Sequence, residues 1–346
     1  MTRARDVSRL ITTPASAYDQ YDDVVVSSAS PSSSTPIWVD ITTASAPTIK
    51  TYAVDKWLGT RLSNLDLITV DYLVVAGGGG GGLQLGGGGG AGGLKSSVDN
   101  TGGGGSLETP LILDFATNYT VTVGAGGASR SINADGNDGS NSVFSTITSI
   151  GGGGGGYYGE ANARTGGSGG GAAGKETGSN TPGASGTANQ GFAGGTGGVR
   201  NGSYRGAGGG GGAGALGGDF STTSGGPGGN GISVAITGTA LNYAGGGGGN
   251  GYSGTGGSGG VGGGGAGATG ANNGINGTAN TGGGGGGGGT SDSANVSGAG
   301  GSGIVVLKFP STYTLSVGAG LTSTNTNAGG YKTYTFTAGT GTVTFS

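Results

Sequence analysis

The sequence contains no cysteine and no histidine. The first absence removes disulfides, thiolate nucleophiles and thiolate metal sites. The second removes the commonest general base and the commonest metal ligand. Charge is scarce too: Asp, Glu, Lys and Arg are 9% of the residues, against about 25% in ordinary domains. A net charge of −3 projects no strong field toward nucleic acid or an anionic membrane. No basic stripe supports nucleic-acid binding. No apolar run approaches the ~18 residues of a membrane span, so no membrane insertion is expected. The start, Met1 to Pro14, carries Arg3, Arg5 and Arg9 but no apolar run suited to a signal peptide. The expectation is synthesis in a cytoplasm, with any export by a route other than general secretion.

Catalytic patterns are missing as well. Many G-x-G-x-x-G matches occur, but this composition produces them by chance, and none sits in a βαβ unit. Lys175 is followed by Glu176, so no P-loop Lys-Ser/Thr pair exists there. Asn133–Gly139 resembles part of a calcium loop but lacks the closing Glu, and reads as a polar turn. Asp19, Asp22 and Asp23 lie in a Ser/Thr/Pro-rich segment and read as a solvated face. The expectation is a protein that is not an enzyme, with no cofactor and no metal site.

What is abundant is glycine: 97 of 346 residues, about four times the ordinary share of roughly 7%. Four regions follow. Residues 1–36 form a polar N-terminal arm or attachment segment, with a short helix expected at Arg3–Leu10. Residues 37–76 carry strand signals at Ile37–Ile41, Thr48–Val54 and Ile68–Ala76, the last an apolar run suited to burial on both faces. Residues 77–303 are glycine-rich, with strand candidates at Leu107–Leu113, Tyr119–Val123, Val143–Ile150 and Ile232–Ile236. Residues 304–346 open on a strong strand, Gly303–Phe309, followed by Tyr313–Val317. They end in a hairpin signal, Tyr331–Thr337 and Thr342–Phe345 around the loop Ala338–Gly341.

A glycine fraction this high without collagen period often means a flexible linker. The scarcity of charge and the committed strands at both ends argue for order instead. Order must then come from backbone hydrogen bonds, because glycine loses the most entropy on folding and buries no side chain. The polyproline II conformation suits this. It has three residues per turn, no internal hydrogen bonds and every N–H and C=O turned outward. The local period agrees: Thr255-Gly-Gly, Ser258-Gly-Gly, Val261-Gly-Gly, Thr165-Gly-Gly and Ser168-Gly-Gly keep one non-glycine position per turn. The pure runs Gly151–Gly156, Gly208–Gly212, Gly245–Gly249 and Gly282–Gly289 are expected in the middle of such a bundle. Asn201-Gly202, Asn250-Gly251, Asn276-Gly277 and Pro227-Gly228 are expected as turns between segments. The fold class is therefore mostly β and irregular: a polyglycine II helix sandwich bracketed by short β-strands, with a C-terminal β-hairpin region.

The bracketing motifs, Asp71–Gly82 and Gly301–Phe309, with Tyr119–Gly127 and Asn141–Ser145 between them, resemble the glycine-rich domain of bacteriophage tail fibres. The pattern is similar to the polyglycine sandwich of distal tail-fibre adhesins over residues 68–309. The resemblance implies a virion fibre protein that recognises a bacterial surface receptor, a glycan or an outer-membrane protein, through loops between the glycine runs. It also implies contacts with other tail or fibre proteins and homo-oligomers. The matching positions here are Tyr157, Tyr158, Phe192, Tyr204, Arg205 and Tyr252, residue types that offer contact area, hydrogen bonds and stacking on sugar rings. Two readings of these residues stand: receptor contacts, or caps that seal the sandwich. A purely structural shaft, decoration or filament subunit is the alternative function. Residues 331–346 depart from the adhesins, and are expected to pair with another subunit or with the N-terminal strands of their own chain.

Overall fold

A computed structural model of the chain describes residues 25–27, 38–40, 67–159, 163–199, 205–289 and 295–346. The helix expected at Arg3–Leu10, the Asp19–Asp23 cluster, strand Thr48–Val54, Asn201-Gly202 and Tyr204 lie outside the described residues. The chain divides into two compact units, 1–67 and 68–346. In the first, β1 (Val25–Ser27) and β2 (Trp38–Asp40) pair in parallel. The rest of the description concerns the second. Among the described residues the chain is essentially all β, with one 3-10 turn at Gly102–Gly104.

The second unit has a hydrophobic half and a glycine half. The hydrophobic half is a ten-stranded sheet built on β3 (Leu67–Val75), β11 (Ile304–Pro310) and β14 (Tyr331–Phe345). Strand β11 pairs antiparallel with β3 on one side and with β14 on the other. The order continues through β6 (Asn118–Thr122), β7 (Ser142–Phe144) and β8 (Ile147–Ser149), while β4 (Leu94–Ser96) lies beyond β3. Strand β5 (Leu111–Asp114) also joins β3, and β12 (Leu315–Val317) and β13 (Leu321–Ala328) flank β14.

Alternation along the central strands divides the apolar residues between two cores. Ile68, Val70, Tyr72 and Val74 of β3 join Val305, Leu307, Phe309, Phe336, Val343 and Phe345 on one face. Leu73 and Val75 join Ile304, Val306 and Leu94 on the other. That second face packs on Val234 and Tyr243 of a small hairpin, β9 (Ile232–Val234) and β10 (Leu241–Tyr243), which closes one end of the glycine half. The apolar run of β3 thus spans two cores, which is why it does not alternate in sequence.

In the glycine half the segments are extended and pair through backbone bonds at every third residue. Gly77 N, Gly80 N and Leu83 N donate to Ser140 O, Asn137 O and Ala134 O at 3.0, 2.8 and 3.4 Å. Gly78 and Gly81 donate to Gly301 O and Gly298 O, and Gly79 and Gly82 to Gly90 O and Gly87 O. The same run accepts from Gly127, Gly152, Gly155, Gly285 and Gly288. Run 77–82 is therefore bonded on all sides by six segments. The four runs 151–156, 208–212, 245–249 and 282–289 are buried throughout, whereas Thr255, Ser258 and Val261, three residues apart, are exposed. Ser168 departs from that face pattern, being fully buried against Gly191.

The glycine requirement is steric and local. A Cβ on Gly154 would lie 2.0 Å from Gly136 O, and one on Gly210 2.0 Å from Gly89 O. These distances leave no room for any side chain.

Four expectations need correction. Ala338–Gly341 is not a loop. Strand β14 runs unbroken through it and bends at Gly339 (φ +98), passing from β11 and β13 to β6 and β12. The real hairpin lies upstream: Gly329 and Gly330, both at positive φ, join β13 to β14 in the two-residue turn that suits strand twist. Residues 331–346 do not pair directly with β3 either, because β11 lies between the two strands, although both contribute to one core. Val143–Ile150 is a hairpin and not one strand, broken at Ser145 (φ +53). Finally, Pro227-Gly228 and Asn276-Gly277 lie inside straight segments. Pro227 still accepts from Gly218 N at 2.8 Å, and its fixed φ of about −65° is close to the extended conformation.

Candidate recognition surface at the far end of the glycine bundle

Chain direction decides where each loop falls. Runs 77–82, 151–156 and 282–289 are parallel, since Gly152 and Gly155 donate to Gly77 O and Gly80 O, and Gly285 and Gly288 to Gly79 O and Gly82 O. Run 77–82 starts at the end of β3, so all three lead away from the strands. Segments 87–91 and 207–213 return. Six residues at roughly 3.1 Å each place the far turns about 19 Å from the sheet. Residues 83–85, 157–159, 175–178 and 251–254 therefore share the far end.

Three of the predicted recognition residues meet there. Arg205, only 8% exposed, lays its guanidinium 4.0 Å from the centre of the Tyr252 ring. Its Nη1 pairs with Glu176 Oε1, and its Nε has no hydrogen-bond partner. Burial opposes the Arg205 charge, but bonds to Tyr252 and Glu176 outweigh it and hold the pKa above its ordinary value. The Tyr158 hydroxyl bonds to Glu176. Burial first, and that bond second, push its pKa up. Tyr158 and Tyr252 remain half-exposed. The result is a buried cation between two partly accessible aromatic rings.

The other predicted residues are placed differently. Tyr157 is anchored by its backbone, its N–H donating to Asp135 Oδ1 at 2.9 Å. Phe192 stands at the opposite end, because segment 191–198 begins at the strand side, with Gly195 N and Phe192 N donating to Gly209 O and Gly212 O. There it borders a shallow cavity of about 440 Å³ with Asp99, Asn100, Leu107 and Ile232. Glu176 is the member that the sequence reading missed as a partner. Its signal was visible, since Lys175-Glu176 is a rare charged pair in a charge-poor stretch.

Asp135–Gly139 is a segment of the bundle, while Asn133 and Ala134 lie in the bend before it. Asp135 and Asp138 spend their carboxylates on bundle amides, Asp138 Oδ1 accepting from Gly154 N at 2.9 Å. Asp138 Oδ2 also pairs with Arg164 at 3.0 Å.

An antiparallel sheet carrying a backbone-bonded glycine bundle, with polar and aromatic turns at its far end, defines a glycine-rich all-β protein. The profile of the family described as a glycine-rich domain matches residues 63–310, and the chain belongs to that family. No curated protein and no solved structure matches the chain.

Proposed function

We propose that the chain is a bacteriophage fibre component and host-surface adhesin whose glycine region is a polyglycine II bundle. The repeat of donors at every third residue, with six bonded neighbours around run 77–82, supports the polyglycine II assignment. The observation that carries the adhesin reading is the Tyr158–Glu176–Arg205–Tyr252 cluster at the end farthest from the sheet. Two half-exposed rings around a fixed cation suit a saccharide or a protein receptor on a bacterial surface. On this reading the protein resides in a virion, and neighbouring tail or fibre proteins hold the strand end.

The test is adsorption of labelled protein to the bacterium that supports the phage. Replacing Tyr158 and Tyr252 together by Ala is expected to abolish adsorption while the thermal midpoint stays nearly unchanged. Undiminished adsorption in the folded variant overturns the reading. One observation favours the alternative of a purely structural fibre subunit: Arg205 is already paired with Glu176 and almost wholly buried, as a cap on the bundle would be. A cap predicts that the same double variant unfolds at a much lower temperature.

A further inference from the structure

Strand β13 is the long open edge of the sheet. Along its eight residues it pairs with β14 on one side, and among the described residues no neighbouring strand lies on the other. The turn pair Ala328 and Tyr331 closes a two-residue hairpin, so alternate residues from there point their backbone groups to β14. Ser323, Asn325 and Asn327 turn theirs away from it. From Asn325 to Tyr331 every residue is exposed.

Natural proteins guard such edges with charge, proline, shortness or a cover. The other edges follow this rule: β12, β4 and β8 have three residues each, and β5 carries Asp114. Strand β13 does not. Residues 311–331 contain no Asp, Glu, Lys, Arg or Pro. The nearest cation, Lys332, is held away by its bond to Tyr313 O at 2.7 Å. A bulge between Thr322 and Ser323 disturbs only one end of the strand.

From the unguarded edge of β13 we infer a self-association surface, with a second copy of this chain adding its own β13 antiparallel across a two-fold axis. The side chains favour a copy over a different partner. Thr322, Ser323, Thr324, Asn325, Thr326 and Asn327 are uncharged and can each donate and accept. Two identical edges therefore meet without like-charge repulsion, and Thr–Thr and Thr–Ser cross-strand pairs are favourable. An isologous pairing needs only this one patch. The inference replaces residues 331–346 as the assembly element, since β14 is paired on both sides within its own chain. It stands whether or not the far end binds a host.

The experiment measures the mass of the full chain by light scattering across a dilution series, with hydrogen exchange at residue resolution. Wild type is expected to pass from dimer to monomer on dilution, with the Ser323, Asn325 and Asn327 amides protected only in the dimer. The double variant Asn325→Lys/Asn327→Lys is expected to be monomeric at every concentration with an unchanged thermal midpoint. A wild type that stays monomeric overturns the inference, as does a variant that still dimerises. Should the variant fail to fold, the exchange of those three wild-type amides decides: fast exchange at high concentration overturns the proposal.

Discussion

The two halves of the second unit solve the same problem by opposite means. The sheet half buries Tyr72, Phe144, Phe309, Phe336 and Phe345 completely, and its rings meet in close pairs such as Phe309 on Phe345 at 5.2 Å. Its stability comes from removing apolar surface from water. The glycine half buries few large side chains, Leu83 and Leu85 among them, and several alanines. Its interior is backbone, and each hydrogen bond there contributes only about 1 kcal/mol net against the largest chain entropy of any residue. What compensates is density: a run such as 77–82 is bonded to six neighbours, at distances of 2.8 to 3.0 Å for its glycine donors and acceptors. The comparison teaches that low hydrophobicity does not by itself forbid a dry interior. The interior need only satisfy its amides and keep Cβ atoms out of the closest approaches between segments.

The largest effect should come from placing one methyl group in the glycine half. In Gly154→Ala the new Cβ would stand 2.0 Å from Gly136 O, and only movement of a whole segment could relieve it. A loss above about 4 kcal/mol is expected, beyond the usual range for point substitutions. Gly174→Ala is the internal control. Its Cβ would meet nothing closer than Gly206 O at 3.4 Å, so a change within about 1 kcal/mol is expected. Chemical denaturation of both variants checks this. Equal stabilities would show that the close packing of segments is not what holds the bundle.

A smaller effect is expected in the sheet half. Phe309→Ala should cost about 3–5 kcal/mol by leaving a cavity beside Phe345 and Tyr334. Phe309→Leu should recover most of that loss, because an apolar core tolerates other apolar shapes. No residue larger than glycine should restore position 154. A Leu variant as unstable as the Ala variant would remove this distinction between the halves.

Much of this division is legible in the sequence, and the limits are physical. Strands β3 and β11 announce themselves as apolar runs, and the buried runs as uninterrupted glycine. Thr255, Ser258 and Val261 reveal the period of three because an outward position there leaves room for a side chain. Strand β13 does not show, since beyond Leu321, which packs against the core, it is polar and mostly exposed and so has no apolar alternation. Its turn, Gly329-Gly330, is a hairpin signal lost among 97 glycines. Gly339 misleads in the opposite direction, reading as a loop where it only bends β14. At the far end, Arg205 and Tyr252 are recognisable as types, but their meeting depends on the direction of each run. That direction is set by bonds between distant segments, which no local pattern records. Phe192 is misplaced beside them for the same reason.

The smallest effect concerns protons, and again separates the halves. The glycine runs carry no titratable group, whereas Tyr72 lies fully buried in the sheet core. Burial, and then the nearby Glu108 charge, push its pKa up to about 12, from about 10 in an unfolded chain. The folded state therefore holds this proton more tightly. The stabilisation is complete below pH 10 and is lost as pH rises from about 10 through 12, at up to about 1.4 kcal/mol per unit. Buried Tyr243, raised by burial where the bundle meets the sheet, acts in the same direction. The expected result is a thermal midpoint that falls above pH 10, with tyrosinate absorbance appearing as the sheet opens. Tyr72→Phe should flatten part of that decline while leaving neutral stability within about 1 kcal/mol. An alkaline profile identical to wild type would mean that Tyr72 keeps its proton no more tightly folded than unfolded. The sheet would then not be the half that yields first to alkali.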